Sequence, residues 1–356
     1  TDDTDEALTV SANGSFIAVG GRVDGVLPQQ TDAGGWDAFV RVYLDNGTLV
    51  WTRQFGTEFN DSVVAVSIGQ DNSVLVTGYL ATSGTPSYFL RKYAPDGSVL
   101  WTQNLVWTPT AVSVGSDDSV VVAGLAALAL PGQSALGSND AVVQKYTSAG
   151  ALVWTRQFGT ALAETARAVD VGPDGDIVVA GYTDGALPGQ THQGSIDAFV
   201  RQYDADGASL WTRQIGTSSD EDAYAVTVDA DGGVVVAGST PGTLLGQTSL
   251  GSTDAFVRKY DADGALLWTR QFGGNSNDIV TGVSVGSDQR VLLAGLTDHA
   301  LASQTNLGES DAFLVTYTAA GGLLRTRQFG TRGPDWALAV SAASDGSAVV
   351  AGWVTS

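Results

Sequence analysis

The tetrapeptide Trp-Thr-Arg-Gln starts at Trp51, Trp154, Trp211 and Trp268. The last three starts are 57 residues apart, and one more step of 57 reaches Arg325, which opens Arg-Thr-Arg-Gln. Trp101 opens a worn copy, Trp-Thr-Gln-Asn. A period of about 40–60 residues made of short strands specifies a stacked or radial repeat. It makes the 356 residues one domain, where length alone would suggest two or three.

One repeat reads as four strands. Ile177-Val178-Val179-Ala180-Gly181 is apolar on both faces, and a long loop through Leu187, Pro188 and Gln190 follows. Asp197 to Tyr203 alternates apolar and polar, as a half-buried strand does. Asp204-Ala205-Asp206-Gly207 is a hairpin turn, with glycine where positive φ is needed. Ser209 to Ile215 carries the Trp-Thr-Arg-Gln motif, and Ala223 to Val228 completes the unit. Repeated four-stranded antiparallel units predict an all-β fold, a β-propeller spanning residues 1–356 as a single domain.

The strand with the smallest side chains is expected next to the axis, where strands crowd. Its glycines are Gly20, Gly78, Gly124, Gly181, Gly238, Gly295 and Gly352. Outer strands lie near Leu8, Val64, Ala111, Ala168, Ala225, Gly282 and Leu338. The two middle strands recur only six times. The expectation is a seven-bladed ring whose incomplete closing blade joins an N-terminal strand (Ala7 to Ala12) to a C-terminal one (Val349 to Trp353), hiding an edge. The alternative is a six-bladed ring.

The run Asp254-Ala255-Phe256-Val257-Arg258-Lys259-Tyr260-Asp261-Ala262-Asp263-Gly264, continuing to Leu267-Trp268-Thr269-Arg270-Gln271-Phe272-Gly273, resembles the bacterial SBBP family of β-propeller repeats. The resemblance covers nearly the whole chain. It is weakest in the second unit, where Ser87 replaces Asp, Gln103 replaces Arg and both long loops are short. It implies a secreted or cell-surface bacterial propeller and no catalytic set.

Charge and composition narrow the function. A net charge of −21 opposes phosphate neutralisation, so nucleic acid is not an expected partner. No apolar run approaches ~18 residues, so no transmembrane helix is expected. With Cys 0, thiol catalysis and Cys-ligated metal are excluded. With Met 0, the chain as given has no initiator, and a cleaved leader and an extracellular or cell-surface location are expected.

Repeated polar residues read first as scaffold, because every blade needs the same contacts. They are Asp37, Asp140, Asp197, Asp254 and Asp311; a second carboxylate at Asp61, Glu164, Asp222, Asp278 and Asp335; and Arg53, Arg156, Arg213, Arg270 and Arg327. An Asp–Arg staple facing the long loops is expected, with Trp211 and its equivalents packing between blades and Gln190 and its equivalents satisfying loop backbone. The functional reading of the same set is a ring of cation or polar-ligand sites.

Departures from the period are the stronger candidates for contact with a partner. Trp36, Trp107, Trp336 and Trp353 fall outside it, as do the two histidines, His192 and His299. Exposed Trp on a rigid platform suits protein or carbohydrate, whereas Trp near an incomplete blade also fills gaps. The leading expectation is a non-enzymatic structural or interaction propeller that binds protein or surface polysaccharide, with no cofactor. One alternative is a polysaccharide lyase or hydrolase using Glu58, Glu164 or Glu221. Another is a calcium-stabilised surface protein, suggested by Asp-Ala-Asp-Gly at Asp204, Asp229 and Asp261.

Overall fold

The computed structural model describes residues 4–343 and 346–355, with side chains from residue 6. Blade 1 comprises β1 (Thr4–Ala12), β2 (Phe16–Asp24), β3 (Trp36–Leu44) and β4 (Leu49–Phe55). Blade 2 comprises β5 (Ser62–Ile68), β6 (Val74–Leu80), β7 (Ser87–Tyr93) and β8 (Val99–Leu105). Blade 3 comprises β9 (Thr108–Val114), β10 (Val120–Ala126), β11 (Asp140–Tyr146) and β12 (Leu152–Phe158). Blade 4 comprises β13 (Glu164–Val171), β14 (Ile177–Thr183), β15 (Asp197–Tyr203) and β16 (Ser209–Ile215). Blade 5 comprises β17 (Asp222–Val228), β18 (Val234–Thr240), β19 (Asp254–Tyr260) and β20 (Leu266–Phe272). Blade 6 comprises β21 (Asp278–Val285), β22 (Val291–Thr297), β23 (Asp311–Tyr317) and β24 (Leu323–Phe329). A two-stranded sheet, β25 (Asp335–Ala342) and β26 (Ala348–Val354), follows.

The fold is thus an all-β propeller with six four-stranded antiparallel blades, as in the six-bladed alternative, plus one two-stranded sheet in the place of a seventh. The closing blade expected from both termini does not form. β1 pairs with β2 as the first strand of blade 1, and β26 pairs with β25. The ring closes by packing instead: β25 and β26 lie against β1 as β1 and β2 lie against β5.

The order of strands from the axis outward also differs from expectation. The first strands are neighbours round the ring, β1 on β5, β9, β13, β17, β21 and β25 in turn, so they are innermost. The Val-Val-Val-Ala-Gly strand is second. Its glycine has another cause than crowding at the axis: each innermost strand carries a β-bulge, and its carbonyl presses on the next strand. A Cβ on Gly181 would stand 1.9 Å from the Thr165 carbonyl oxygen, and one on Gly238 1.9 Å from that of Asp222. In blade 1 the equivalent is Gly21, opposite Ala7, rather than Gly20.

Neighbouring blades share a layered apolar core. Between blades 4 and 5, Val178, Ala180, Val200, Trp211, Ile215, Phe256 and Tyr260 form one cluster. The Trp-Thr-Arg-Gln motif bridges blades at its edge. Trp211 Nε1 donates to the Ala262 carbonyl at 3.0 Å, and Arg213 Nε to the Gly264 carbonyl at 2.8 Å. Trp51 and Arg53, Trp154 and Arg156, and Trp268 and Arg270 repeat the pattern, each reaching the short hairpin turn of the next blade. Gln103 does the same for the worn unit, bonding Gly150 O at 2.9 Å. The arginine therefore staples the short-turn face, and the expected Asp–Arg pair is replaced by an Asp–Gln pair. Gln214 Nε2 donates to Asp197 Oδ2 at 2.7 Å, and Gln54, Gln157, Gln271 and Gln328 do likewise to their own blades' Asp. Loop glutamines close the unit: Gln190 Oε1 accepts the Gln214 N–H at 3.1 Å.

Candidate functional site: the mouth of the axial channel

The bulge residue of each innermost strand is the extra residue that the ladder cannot pair, so its side chain is turned away from the sheet. These residues are Leu8, Val64, Thr110, Arg167, Tyr224, Thr281 and Leu338. Six of them border an axial cavity of about 510 Å³. Five of the seven are Leu, Val or Thr. Blades 4 and 5 break the pattern with Arg167 and Tyr224.

Around that departure lies a compact polar and aromatic cluster. Arg167 Nε donates to Asp222 Oδ2 at 2.8 Å and Oδ1 at 3.0 Å, and a second guanidinium nitrogen reaches Asp222 at 2.8 Å. The guanidinium carbon lies 5.1 Å from the ring centroids of both Tyr182 and Tyr224. A recess of about 390 Å³ adjoins these four residues, with Asp220, Ser239 and Pro241 on its wall. Burial tends to lower the Arg167 pKa, but the adjacent Asp222 charge holds it above the usual value. Burial pushes the Asp222 carboxyl up, against the pull of Arg167, and raises the Tyr224 hydroxyl, with Asp222 adding to the effect. The Arg167 side chain remains 39% exposed, so a stacked and charge-fixed guanidinium is presented to solvent.

The sequence pattern puts Asp222 in the set of recurring second carboxylates, and the structure corrects this by one residue. Glu221 fills that place. Its Oε1 accepts Thr217 Oγ1 at 2.7 Å and Thr240 Oγ1 at 2.6 Å, as Glu164 accepts Thr160 and Thr183 at 2.7 Å. The period of 57 from Glu164 lands on Glu221 and was the available signal. Asp222 is released to the channel. Arg167, Tyr182 and Tyr224 were missed because sequence alone did not locate the bulge.

The second carboxylates are enclosed. Asp61 accepts the Ala81 N–H at 2.6 Å and is bonded by Thr57; burial raises its pKa, and the nearby Asp37 adds to the rise. Burial pushes Asp278 up to about 6, helped by Asp254. Asp254 and Asp278 are both fully buried against Gly273, so no open cleft reaches the two acids. Glu58 is exposed. Asp204 Oδ1 accepts the Asp206 and Ala208 N–H groups, and Asp229 and Asp261 likewise bond their own turns. Among the described residues, no group of three or more acidic or imidazole side chains is placed to hold a metal.

The off-period tryptophans separate into two sets. Trp107 is buried in the core of blades 2 and 3, with Nε1 donating to Gln144 at 3.2 Å, so it is no partner-facing residue. Trp36, Trp336 and Trp353 are half-buried at the long-loop end of blade 1 and the two-stranded sheet. Trp336 and Trp353 are register partners with centroids 4.8 Å apart, and Arg22 lies 4.8 Å over Trp36 while paired with Glu6. His192 Nδ1 is 3.3 Å from Asp197, inside the loop scaffold, and His299 is exposed.

No protein family's model matches the chain. It is 28% identical over 176 residues to the regulatory protein FlaEY of Caulobacter vibrioides, across 45% of this chain and 18% of that protein. It is 21% identical over 436 residues to an uncharacterized WD repeat-containing protein, L264, of Acanthamoeba polyphaga mimivirus, across 90% of this chain and 31% of that protein. The chain thus spans a third or less of these curated relatives. Among solved structures, the WD40 domain of Neurospora crassa Pan2 superposes with a TM-score of 0.57 at 11% identity, covering 97% of this chain and 86% of that one. Sqt1 of Chaetomium thermophilum gives 0.51 at 12% identity, covering 95% and 75%. The fold is WD40-like. Among the described residues no helix is long and apolar enough to cross a membrane.

Proposed function

We propose that this chain is a non-enzymatic interaction propeller that docks a protein partner on its long-loop face, over the mouth of the axial channel. One observation carries the reading. At positions where the other blades place Leu, Val or Thr, blades 4 and 5 place Arg167 and Tyr224, joined to Tyr182 and Asp222 in an accessible cluster. Arg and Tyr are the residue types that anchor protein interfaces, because they combine area, stacking and fixed hydrogen-bond direction. Trp36, Trp336 and Trp353 extend the surface on the other side of the ring. The likeness to SBBP repeats supports an extracellular or cell-surface setting. Catalysis is disfavoured because Glu164 and Glu221 are buried, with their oxygens bonded to threonines.

A photoreactive residue at position 182, compared with one at Thr147 in a short turn, tests the proposal on the surface of the producing cells. The expected result is a protein adduct at 182 alone, lost when Arg167→Ala is added. Equal adducts at both positions, or none, would sink the reading. Glycan adducts at 182 would move it to a surface polysaccharide.

A further inference from the structure

We infer that a groove between blades 4 and 5 is a saccharide site, one that takes a sugar acid through Arg258. The groove is separate from the recess beside Arg167 and does not rest on the reading of the channel mouth.

Its volume is about 820 Å³, in the range of small-ligand clefts. The exposed Gln193, Ser218, Thr243 and Leu245 border it, and the half-buried Arg258 lies deeper. Arg258 lacks the two contacts that hold its counterparts. Arg91 Nε donates to Thr102 Oγ1 at 3.0 Å, and Arg201 Nε to Thr212 Oγ1 at 2.8 Å. Their guanidiniums lie 4.7 and 4.4 Å over Phe55 and Phe158, each at the end of the preceding blade's fourth strand. For Arg258 that place is Ile215, which has no ring. Its Nε makes no hydrogen bond among the described residues, although Thr269 stands opposite in the register. On the face of β19 that meets blade 4, Arg258 is flanked by Phe256, seated over Gly238, and by Tyr260, to whose hydroxyl it donates.

The walls of the groove leave the 57-residue pattern at the same place. Gln193 stands where Leu136, Leu250 and Leu307 stand in other blades. Thr243 replaces Ala129, Ala186 and Ala300, and Leu245 replaces Pro131 and Pro188. Ile215 replaces Phe55, Phe158, Phe272 and Phe329. Contacts that every blade needs are repeated in every blade. Departures gathered round one groove therefore serve something that only this groove meets.

The chemistry selects the ligand. A guanidinium holds a planar carboxylate through parallel N–H donors. The Gln193 amide and the Ser218 and Thr243 hydroxyls can exchange hydrogen bonds with sugar hydroxyls. None of the described lining residues is acidic, in a chain of net charge −21. Leu245 is 94% exposed and offers an apolar lip to the C–H face of a pyranose ring. A peptide fits less well, because the walls are loop side chains and present no strand edge for main-chain pairing.

Galacturonic acid and its linear trimer are the probes, titrated calorimetrically into the intact chain beside galactose and a hexaglutamate peptide. Saturable one-to-one binding of the acid sugars is expected. Tighter binding of the trimer identifies a residue within a polymer as the ligand, and equal binding identifies the free acid; both support the site. Arg258→Gln weakens binding at least tenfold. Gln193→Leu and Ile215→Phe each restore the residue of the other blades, and each weakens binding at least fivefold without a fall in melting temperature. These two variants decide the matter if Arg258→Gln does not fold. The proposal is overturned if neither acid sugar binds saturably, or if galactose or hexaglutamate binds as well. Affinity unchanged by both Gln193→Leu and Ile215→Phe also overturns it.

Discussion

β18 and β26 are nearly the same strand in two surroundings. Both carry Val-Val-Ala-Gly on a bulged innermost partner, and in both the glycine accepts a backbone carbonyl where a Cβ would stand, 1.9 Å away. β18 is enclosed by β19, β20 and the flanking blades; β26 ends its sheet. Burial here is decided by the neighbours a strand acquires, and local stability follows burial. Lower local stability is therefore expected in the two-stranded sheet than in the regular blades.

Substitutions measure that contrast. The largest effect is expected from Phe256→Ala, which empties the seat over Gly238 and costs about 3–5 kcal/mol in denaturant unfolding. Next comes the motif itself. Trp211→Ala costs about 3 kcal/mol, whereas Arg325→Ala, at the same place in blade 6, stays within about 0.5 kcal/mol. A comparable loss at Arg325 would mean that β24 is already covered. Third, Val236→Ala removes two buried methyl groups and costs about 2 kcal/mol. Val350→Ala costs at most half as much, and equal losses would erase the distinction between the sectors.

A pH-dependent effect concerns a carboxyl enclosed by a complete blade. Folded Asp278 keeps its proton up to about 6, while the unfolded chain releases it near 3.8. Between these values the folded state binds more protons, so this group's contribution to stability falls as pH rises through the window and is level above it. Asp278→Asn is expected to remove that slope in unfolding measured from pH 4 to 7. An unchanged slope would show that other groups produce it.

The repeat makes the four-stranded blades legible, because strand alternation, turn glycines and a 57-residue period all act locally, but it does not decide between a six-bladed ring and a seven-bladed one closed by both termini. Radial order was not legible. Small residues suggest the axis, but they mark where a bulge presses on the neighbouring strand, which depends on the register between two strands. The same bulge hid Arg167 and Tyr224, since an unpaired residue has no signature along the chain. Asp222 was misplaced because two adjacent carboxyls, Glu221 and Asp222, compete for one periodic position and only the threonines across the loop, Thr217 and Thr240, settle which is held. The Asp–Gln pair was missed for a related reason. Charge suggested an arginine partner, but β16 turns Arg213 toward blade 5 and Gln214 toward Asp197.

The first strand pairs only with its immediate successor, and this has a consequence for synthesis. A ring latched by its first strand would have to hold that strand unpaired until the seventh sheet had been synthesised. Here each sheet is assembled from strands adjacent in sequence, so it can be completed as its own fourth strand emerges. Each four-stranded blade can be built in the order in which its strands are translated, with no strand of it waiting for a partner distant in sequence.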